Sequence, residues 1–195
     1  VGVIVVCNNW IGFCLNLGVN QARGKYYVQL DSDDRLKSNA VERIIDCFES
    51  SGDIGMVIGS YEVWEKGDDG SLSRMKDIPV VTHDEWTEEN GRNNLLRING
   101  APSPLRIPIN IIKEMGYFGI NDDAYARNYG EDYEMVNKIA EYYRIGRIYD
   151  PVYEVIRHSG GTDHAINQEV VDRNDEAKDD MRMEIILRRI AFNNE

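Results

Sequence analysis

A strand-like segment that runs directly into a cluster of carboxylates limits the fold of this chain more than any other feature. Residues Lys25–Leu30 are built around aromatic and β-branched side chains, and the run Asp31–Asp34, which reads DSDD, follows at once. The ends of strands are where open α/β sheets present the groups that bind ligands. The sequence therefore predicts an α/β fold with a polar site at the end of this strand.

Strand and helix patterns alternate before and after this cluster. Asn39 and Glu42 match a capping box, and the apolar residues after them recur at helical spacing, which predicts a helix over about 39–50. The segment His83–Arg97 is predicted to be a short helix or a loop. The other predicted elements are strands at Val3–Cys7, Gly55–Trp64, Ser71–Ile78, Arg147–Tyr149 and Val152–Arg157, and helices around Phe13–Val19, at Ile109–Met115 after Pro108, at Glu131–Tyr143 and at Val170–Phe192.

Charge and apolar pattern exclude some classes of partner. With 34 acidic and 22 basic residues, the 195-residue chain has a net charge of -12, which repels nucleic acid and anionic membrane surfaces. The longest apolar stretch, Val1–Cys7, is far shorter than the roughly 20 residues of a membrane span. Three cysteines without a CxxC pair argue against disulfides and structural zinc. We therefore predict a cytoplasmic protein without a membrane span.

The Asp31–Asp34 cluster allows more than one interpretation. Mg²⁺ and Mn²⁺ take oxygen ligands and can bridge carboxylates to nucleotide phosphates, which predicts a metal-diphosphate site. Alternatively, Asp33 or Asp34 caps a turn before the next helix and binds no metal. A calcium loop has acidic residues at similar spacing, but here Leu36 stands where its sharp turn needs glycine, and Arg35 stands at a ligand position. The first two interpretations stay open on spacing alone.

Two further polar clusters lie later in the chain. Gly130–Glu134, which reads GEDYE, opens a predicted helix, where the helix dipole stabilises carboxylates. One of these carboxylates could act as a general base on a hydroxyl, although an ordinary helix N-terminus explains the same pattern. Arg157–Asp163, which reads RHSGGTD, follows a strand and places a histidine in a polar, glycine-rich loop. Both clusters are candidates for a functional site.

The three clusters, in this order, resemble family 2 glycosyltransferases with the GT-A fold. Asn16–Gly18 and Gly24–Asp34 are similar to that family's helix and to the strand that ends in its DxD motif. Gly130–Glu134 resembles the ED motif that carries the catalytic base, and Arg157–His158 resembles the late basic motif. The resemblance extends over roughly Val3–Asp163.

This resemblance implies an α/β, GT-A-like fold, which is a Rossmann-like mixed sheet flanked by helices. Family members begin with a strand and a loop that grip the nucleotide base, and these would precede Val1, so we expect the chain to be incomplete at its N-terminus. Residues 1–163 would form the GT-A-like catalytic domain without its first strands. Residues 164–195 would form a C-terminal helical extension packed on it.

The implied activity is an inverting transfer of a sugar from a nucleotide-sugar donor to a hydroxyl group of a carbohydrate or another acceptor. The implied cofactor is Mn²⁺ or Mg²⁺, which would stabilise the departing nucleoside diphosphate. The resemblance implies that Asp132 and Glu131 act in catalysis and that the metal is held by Asp31, Asp33 and His158. The implied donor-binding residues are Asp31, Ser32, Asp33, Asp34, Asn16 and Arg157. The implied acceptor-side residues are Gly100, Ala101 and Pro102.

The alternative from another class is a non-catalytic GT-A-like module that binds a partner or a glycan through its acidic surface. A metal-dependent phosphotransferase or nucleotidyltransferase ranks lower, because the chain contains no P-loop and no kinase catalytic loop. The sequence leaves the oligomeric state open, since the apolar residues within Val170–Phe192 could pack on the domain or on a second copy.

Overall fold

A computed structural model describes residues 2–4, 11–83, 95–97, 104–119, 130–158 and 168–192. Within the last range, only the backbone of residues 170 and 171 is described. Helices and strands alternate along much of the described chain. The helices are α1 (Ile11–Gln21), α2 (Ala40–Glu49), α3 (Ile109–Glu114), α4 (Glu131–Tyr142) and α5 (Gln168–Phe192), and the strands are β1 (Tyr26–Val28), β2 (Arg35–Leu36), β3 (Ile54–Lys66), β4 (Leu72–Arg74), β5 (Arg106–Pro108) and β6 (Arg144–Arg157).

Two long parallel strands form the centre of the main sheet. β3 pairs with β6 from Ile54 opposite Arg144 to Glu65 opposite Arg157. The sheet order is β2-β6-β3-β4, with both edge strands antiparallel to their neighbours, and β1 pairs with β5 in a separate antiparallel pair. A parallel pair requires a long crossover, and here the chain between β3 and β6 contains α3 and α4.

Helices cover both faces of this sheet. Successive side chains of a strand point to opposite faces, so Met56 and Ile58 pack with α3 and α4, whereas Val57 packs with α2. Residues 54–60 of β3 are buried without interruption, as expected for a strand covered on both sides. The described chain is therefore a mixed α/β fold with sheets flanked by helices.

Several predicted elements are confirmed, and β6 shows where the prediction was wrong. The helix predicted over about 39–50 is α2, and the strand predicted at Gly55–Trp64 is β3. The two strands predicted on either side of Asp150 and Pro151 are one continuous strand. The pairing of β6 with β3 shifts register around Pro151, and proline is tolerated in a sheet at such a bulge.

Some local predictions at helix ends and strand ends were also wrong. Asn39 makes no side-chain capping hydrogen bond, so the predicted capping box does not form. Within the helix predicted around Phe13–Val19, Phe13 and Leu17 are exposed and Val19 is buried. β1 ends at Val28, before the predicted end of its strand. Residues 2–4 belong to no strand; the rest of Val3–Cys7 and most of His83–Arg97 lie outside the described residues.

Two glycines of α1 should respond to alanine substitution with opposite signs. A Cβ at Gly12 would lie 2.2 Å from the backbone oxygen of Gly119, whereas a Cβ at Gly18 meets nothing within 4 Å. We expect Gly12→Ala to lower the free energy of unfolding by about 2 kcal/mol through overpacking. Gly18→Ala should raise it by about 0.5–1 kcal/mol through helix propensity. Chemical denaturation of both variants checks this, and equal effects would contradict the packing of α1.

Candidate functional site

The Asp31–Asp34 cluster forms a turn just beyond β1. The backbone N–H of Gln29 donates to the carbonyl oxygen of Leu105 at 2.9 Å, which extends the β1–β5 ladder past the end of β1. The N–H of Asp34 then donates to the carbonyl oxygen of Asp31 at 3.1 Å and closes the turn. Ser32 lies exposed within this turn. The cluster is thus held at the end of a short strand, as predicted.

Strand β6 fixes this turn from the other end of the chain. The N–H of Asp31 donates to the hydroxyl oxygen of Tyr153 at 3.1 Å, and the N–H of Ile156 donates to Oδ1 of Asp34 at 2.7 Å. Burial raises the pKa of the Asp34 carboxyl, and the hydrogen bonds from Ile156 and Tyr153 oppose that rise. Tyr153 itself is buried, and desolvation raises its pKa. Asp34 therefore anchors the turn to the sheet, and its predicted role in donor binding stays a prediction.

Asp33 meets the histidine that the sequence placed in the same site. Nε2 of His158 lies 3.1 Å from Oδ2 of Asp33, although the two residues are 125 positions apart. The side chains are 44% exposed for Asp33 and 31% exposed for His158, so a ligand can reach them. This pair brings together two of the three predicted metal ligands.

The donor atoms of this pair suit a cation that is shared with phosphate oxygens. Within the described parts of the chain, no group of three or more His, Cys, Asp and Glu side chains is arranged to hold a metal. Oδ1 of Asp31 accepts a hydrogen bond from Nε2 of Gln29 at 3.1 Å, and the metal-binding role of Asp31 stays a prediction. Mg²⁺ commonly binds one or two carboxylates, and takes its other ligands from substrate phosphates and water. Asp33 and His158 fit that kind of site, not a cage made of protein alone.

The second acidic cluster begins α4. Gly130 precedes the helix with a φ of 90°, a conformation that favours glycine, and the next residues are Glu131 and Asp132. Oδ1 of Asp132 accepts the N–H of Tyr133 at 2.7 Å. Burial, reinforced by the charge of Asp132, raises the pKa of Glu131 from 4.5 to about 7. Burial also raises the pKa of Asp132; the Tyr133 N–H and the charge of Lys178 oppose this, and Asp31 adds to it.

The two acidic clusters lie close enough to influence one another. The charge of Asp31 raises the pKa of Asp132, and Asp31 and Glu131 both raise the pKa of Tyr27, for which burial is the main cause. Tyr27 belongs to β1 and packs against Phe118 with ring centroids 5.8 Å apart. Asp31 of the turn after β1 and the carboxylates at the start of α4 are therefore close enough for their charges to interact.

The remaining predicted site residues are placed less directly. Nδ2 of Asn16 donates to the carbonyl oxygen of Phe118, and its Oδ1 accepts the N–H of Phe118, both at 2.9 Å, so its described contacts are structural. Arg157 is the exposed last residue of β6. The donor-binding roles of Asn16 and Arg157 stay predictions. Gly100, Ala101 and Pro102 lie outside the described residues.

Sequence reasoning missed two residues that bear on the site. Tyr153 orders the turn after β1, and no local pattern marks it because its partners are more than 100 positions away along the chain. Lys178 of α5 is buried, and its charge opposes the rise in the pKa of Asp132. No local pattern marks Lys178, because its burial depends on how α5 packs on α4.

Comparison with known proteins supports a glycosyltransferase-like fold. The crystal structure of S. aureus TarS 1-349 matches with a TM-score of 0.54 at 15% sequence identity, and the match covers 76% of this chain. TarS is a glycosyltransferase. The fold of this chain is glycosyltransferase-like. The chain spans 40% of that TarS chain. No family model matches the sequence, and no curated protein matches it. None of the helices that the structure describes is long and apolar enough to cross a membrane.

Proposed function

We propose that this chain is part of an inverting, metal-dependent glycosyltransferase of the family 2, GT-A kind, which moves a sugar from a nucleotide-sugar donor to an acceptor hydroxyl. The observation that carries the proposal is the 3.1 Å approach of Asp33 to His158, beside a turn that shares its electrostatic environment with Glu131 and Asp132. In this proposal the Asp33–His158 pair would hold the metal and a half-buried carboxylate at the start of α4 would act as the base. Residues 1–163 form the catalytic domain in this proposal, and 164–195 form its helical extension.

The donor side of the proposed site is the turn after β1. Asp33 and His158 would hold Mn²⁺ or Mg²⁺ against the diphosphate, and Asp31, Ser32 and Arg157 would contact the rest of the donor. When bound, the cation would neutralise the charge that develops on the leaving nucleoside diphosphate. Tyr153 keeps the backbone of Asp31 in place, so Asp33 is held on an ordered turn and not on a free loop.

Asp132 is the better candidate for the general base of the carboxylate pair. Both residues are half-buried, and desolvation raises the pKa of both carboxyls, but the charge of Lys178 opposes that rise at Asp132. A base must be ionised before it can accept the proton of the acceptor hydroxyl. Glu131 would then be the protonated partner below about pH 7, able to donate a hydrogen bond to the acceptor or to the sugar.

The reaction follows from this division of roles. Asp132 takes the proton of the acceptor hydroxyl while the hydroxyl oxygen attacks the anomeric carbon from the face opposite the diphosphate. The bond to the diphosphate oxygen breaks as the new glycosidic bond forms, which inverts the anomeric configuration. The segment with Gly100, Ala101 and Pro102 would line the acceptor side.

Calorimetric titration of UDP and GDP into the full-length protein, with and without Mn²⁺, tests the donor site. We expect binding that requires the metal and that Asp33→Ala weakens at least tenfold, because the variant removes a charged ligand of the cation. Asp68→Ala is the matched control, since Asp68 is exposed in the turn between β3 and β4 and its loss changes the net charge equally. Equal binding by wild type and Asp33→Ala would overturn the proposal. Absence of binding to folded wild type would instead favour a non-catalytic module.

A further inference from the structure

Helix α5 lays one face across the start of α4. Nε of Arg182 lies 3.1 Å from the hydroxyl oxygen of Tyr133, and its guanidinium stacks over the Tyr133 ring at 5.5 Å. A Cβ placed on Gly130 would meet Cε of Met181 at 3.0 Å. The α5 face that includes these residues therefore touches the turn of α4 that carries Glu131 and Asp132.

Lys178 belongs to the same face, one turn earlier in α5. Asn174, Lys178 and Arg182 are spaced by four residues, and side chains at that spacing share a helix face. The Lys178 side chain is only 5% exposed, and Nζ lies 4.0 Å from Oδ1 of Asp175, which is itself about half exposed. Lysine is rarely buried to this extent, because desolvating an ammonium is expensive unless an anion compensates. Its burial therefore calls for a negative charge on the packed side of α5.

The charges that face Asp132 come from three elements. Glu131 adjoins it on α4, Asp31 approaches from the turn after β1, and Lys178 approaches from α5. Arg182, one turn after Lys178, uses its Nε on the Tyr133 hydroxyl and its Nη1 on Asp179. Lys178 is therefore the cation among these groups whose charge opposes the effect of Glu131 and Asp31 on Asp132.

We propose that Lys178 is a positioning residue for the candidate base, a buried counter-ion on the face of α5 that packs against the turn of α4 carrying Glu131 and Asp132. This inference rests on the proposed function for its catalytic meaning, but the packing of this face of α5 on the start of α4 is a property of the folded chain. It makes the C-terminal helix part of the site, because docking of α5 supplies the charge that the base requires. Removing Lys178 should leave donor binding intact, since Asp33 and His158 do not lie on α4 or α5.

The test measures the titration of the Asp132 carboxyl directly by carbon-13 NMR, with the resonance assigned through Asp132→Asn. In Lys178→Met, which keeps most of the length of the side chain but not its charge, the Asp132 midpoint should move to higher pH. Lys178→Gln should move it in the same direction. Arg188→Met is the matched control, because Arg188 also lies on α5 but pairs with Glu141 at 3.2 Å. Glu141 is about 13 Å along α4 from Asp132, beyond the Debye length of about 8 Å at physiological salt.

The outcomes separate this inference from the proposed function. An upward shift of the Asp132 midpoint in both Lys178 variants and not in Arg188→Met supports the counter-ion, whether or not the protein transfers sugar. In an active protein, the acid limb of kcat should shift upward as well, while the KM for the donor is unchanged. An Asp132 midpoint that stays at its wild-type pH in folded Lys178→Met and Lys178→Gln overturns the inference, even if nucleotide binding and transfer are demonstrated.

Discussion

Glu131→Gln should be more stable than the wild-type protein at pH 8, by up to about 3 kcal/mol, and no more stable at pH 4. The folded-state pKa of Glu131 is raised from 4.5 to about 7, chiefly because its half-buried carboxyl is desolvated. Such a rise corresponds to about 3 kcal/mol of unfavourable ionisation in the folded state. Glutamine has the same shape and never ionises, so it removes this penalty.

The sign of the pH dependence follows from the direction of the shift. Below pH 4.5, Glu131 is protonated in both the folded and unfolded states, and ionisation costs nothing. As the pH rises from 4.5 towards 7, only the unfolded state releases the proton readily, so the wild-type protein loses stability across that window. Above about pH 7 the penalty is constant. Urea unfolding at pH 4, 6 and 8 measures the difference between the two proteins.

Glu134→Gln is the matched control for this prediction. Glu134 lies in the same first turn of α4, but it pairs with Lys138 at 2.7 Å. Its substitution should lower the free energy of unfolding at pH 8 by about 0.3–0.5 kcal/mol, the usual size of such a helical ion pair. If Glu131→Gln were also destabilising at pH 8, then the carboxyl of Glu131 would not be desolvated in the folded protein.

This gain in stability would mark Glu131 as a residue retained for a reason other than folding. A desolvated carboxylate that weakens the fold near neutral pH is a destabilising feature of the kind that functional sites carry. The same argument applies to Asp132, where Lys178 offsets part of the burial. The stability measurement and the kinetic measurement below therefore test the same carboxylate pair from two directions.

Local patterns in the sequence predicted the pieces of this site well. The carboxylates of Asp31–Asp34 follow a strand, and Glu131 and Asp132 open a helix, because strand propensity, turn residues and helical spacing are local properties. Resemblance to a known family added the expectation that His158 and Asp33 share a metal site, and Nε2 of His158 lies 3.1 Å from Oδ2 of Asp33. The cofactor itself stays a prediction.

Contacts between distant parts of the chain were beyond local patterns. Tyr153 reads as an ordinary aromatic residue of a strand, and only the pairing of β6 beside β2 brings its hydroxyl to Asp31. Pro151 suggested a break between two strands, but the bulge in the pairing with β3 accommodates it. Lys178 reads as a solvated charge on an acidic helix, and its burial depends on how α5 docks on α4. In each case the deciding partner lies on another element.

Asp132→Asn should lower kcat by about 10²–10⁴-fold, the range typical of losing a general base, without changing nucleotide affinity more than about twofold. Asparagine keeps the size of the side chain, and its amide oxygen can still accept the Tyr133 N–H that Oδ1 of Asp132 accepts at 2.7 Å. Only the capacity to take a proton is lost. Release of UDP or GDP from the donor that binds, measured at saturating acceptor, gives kcat for each variant.

Comparison of the two carboxylates decides which one is the base. If Asp132 is the base, Glu131→Gln should retain more activity than Asp132→Asn, because a neutral amide at position 131 can still donate a hydrogen bond as a protonated Glu131 would. Glu134→Gln, in the same turn of α4, should retain nearly full activity. A larger loss of activity in Glu131→Gln than in Asp132→Asn would assign the base to Glu131. It would also remove the catalytic role proposed for Lys178, because the charge of Lys178 favours the ionised form of Asp132.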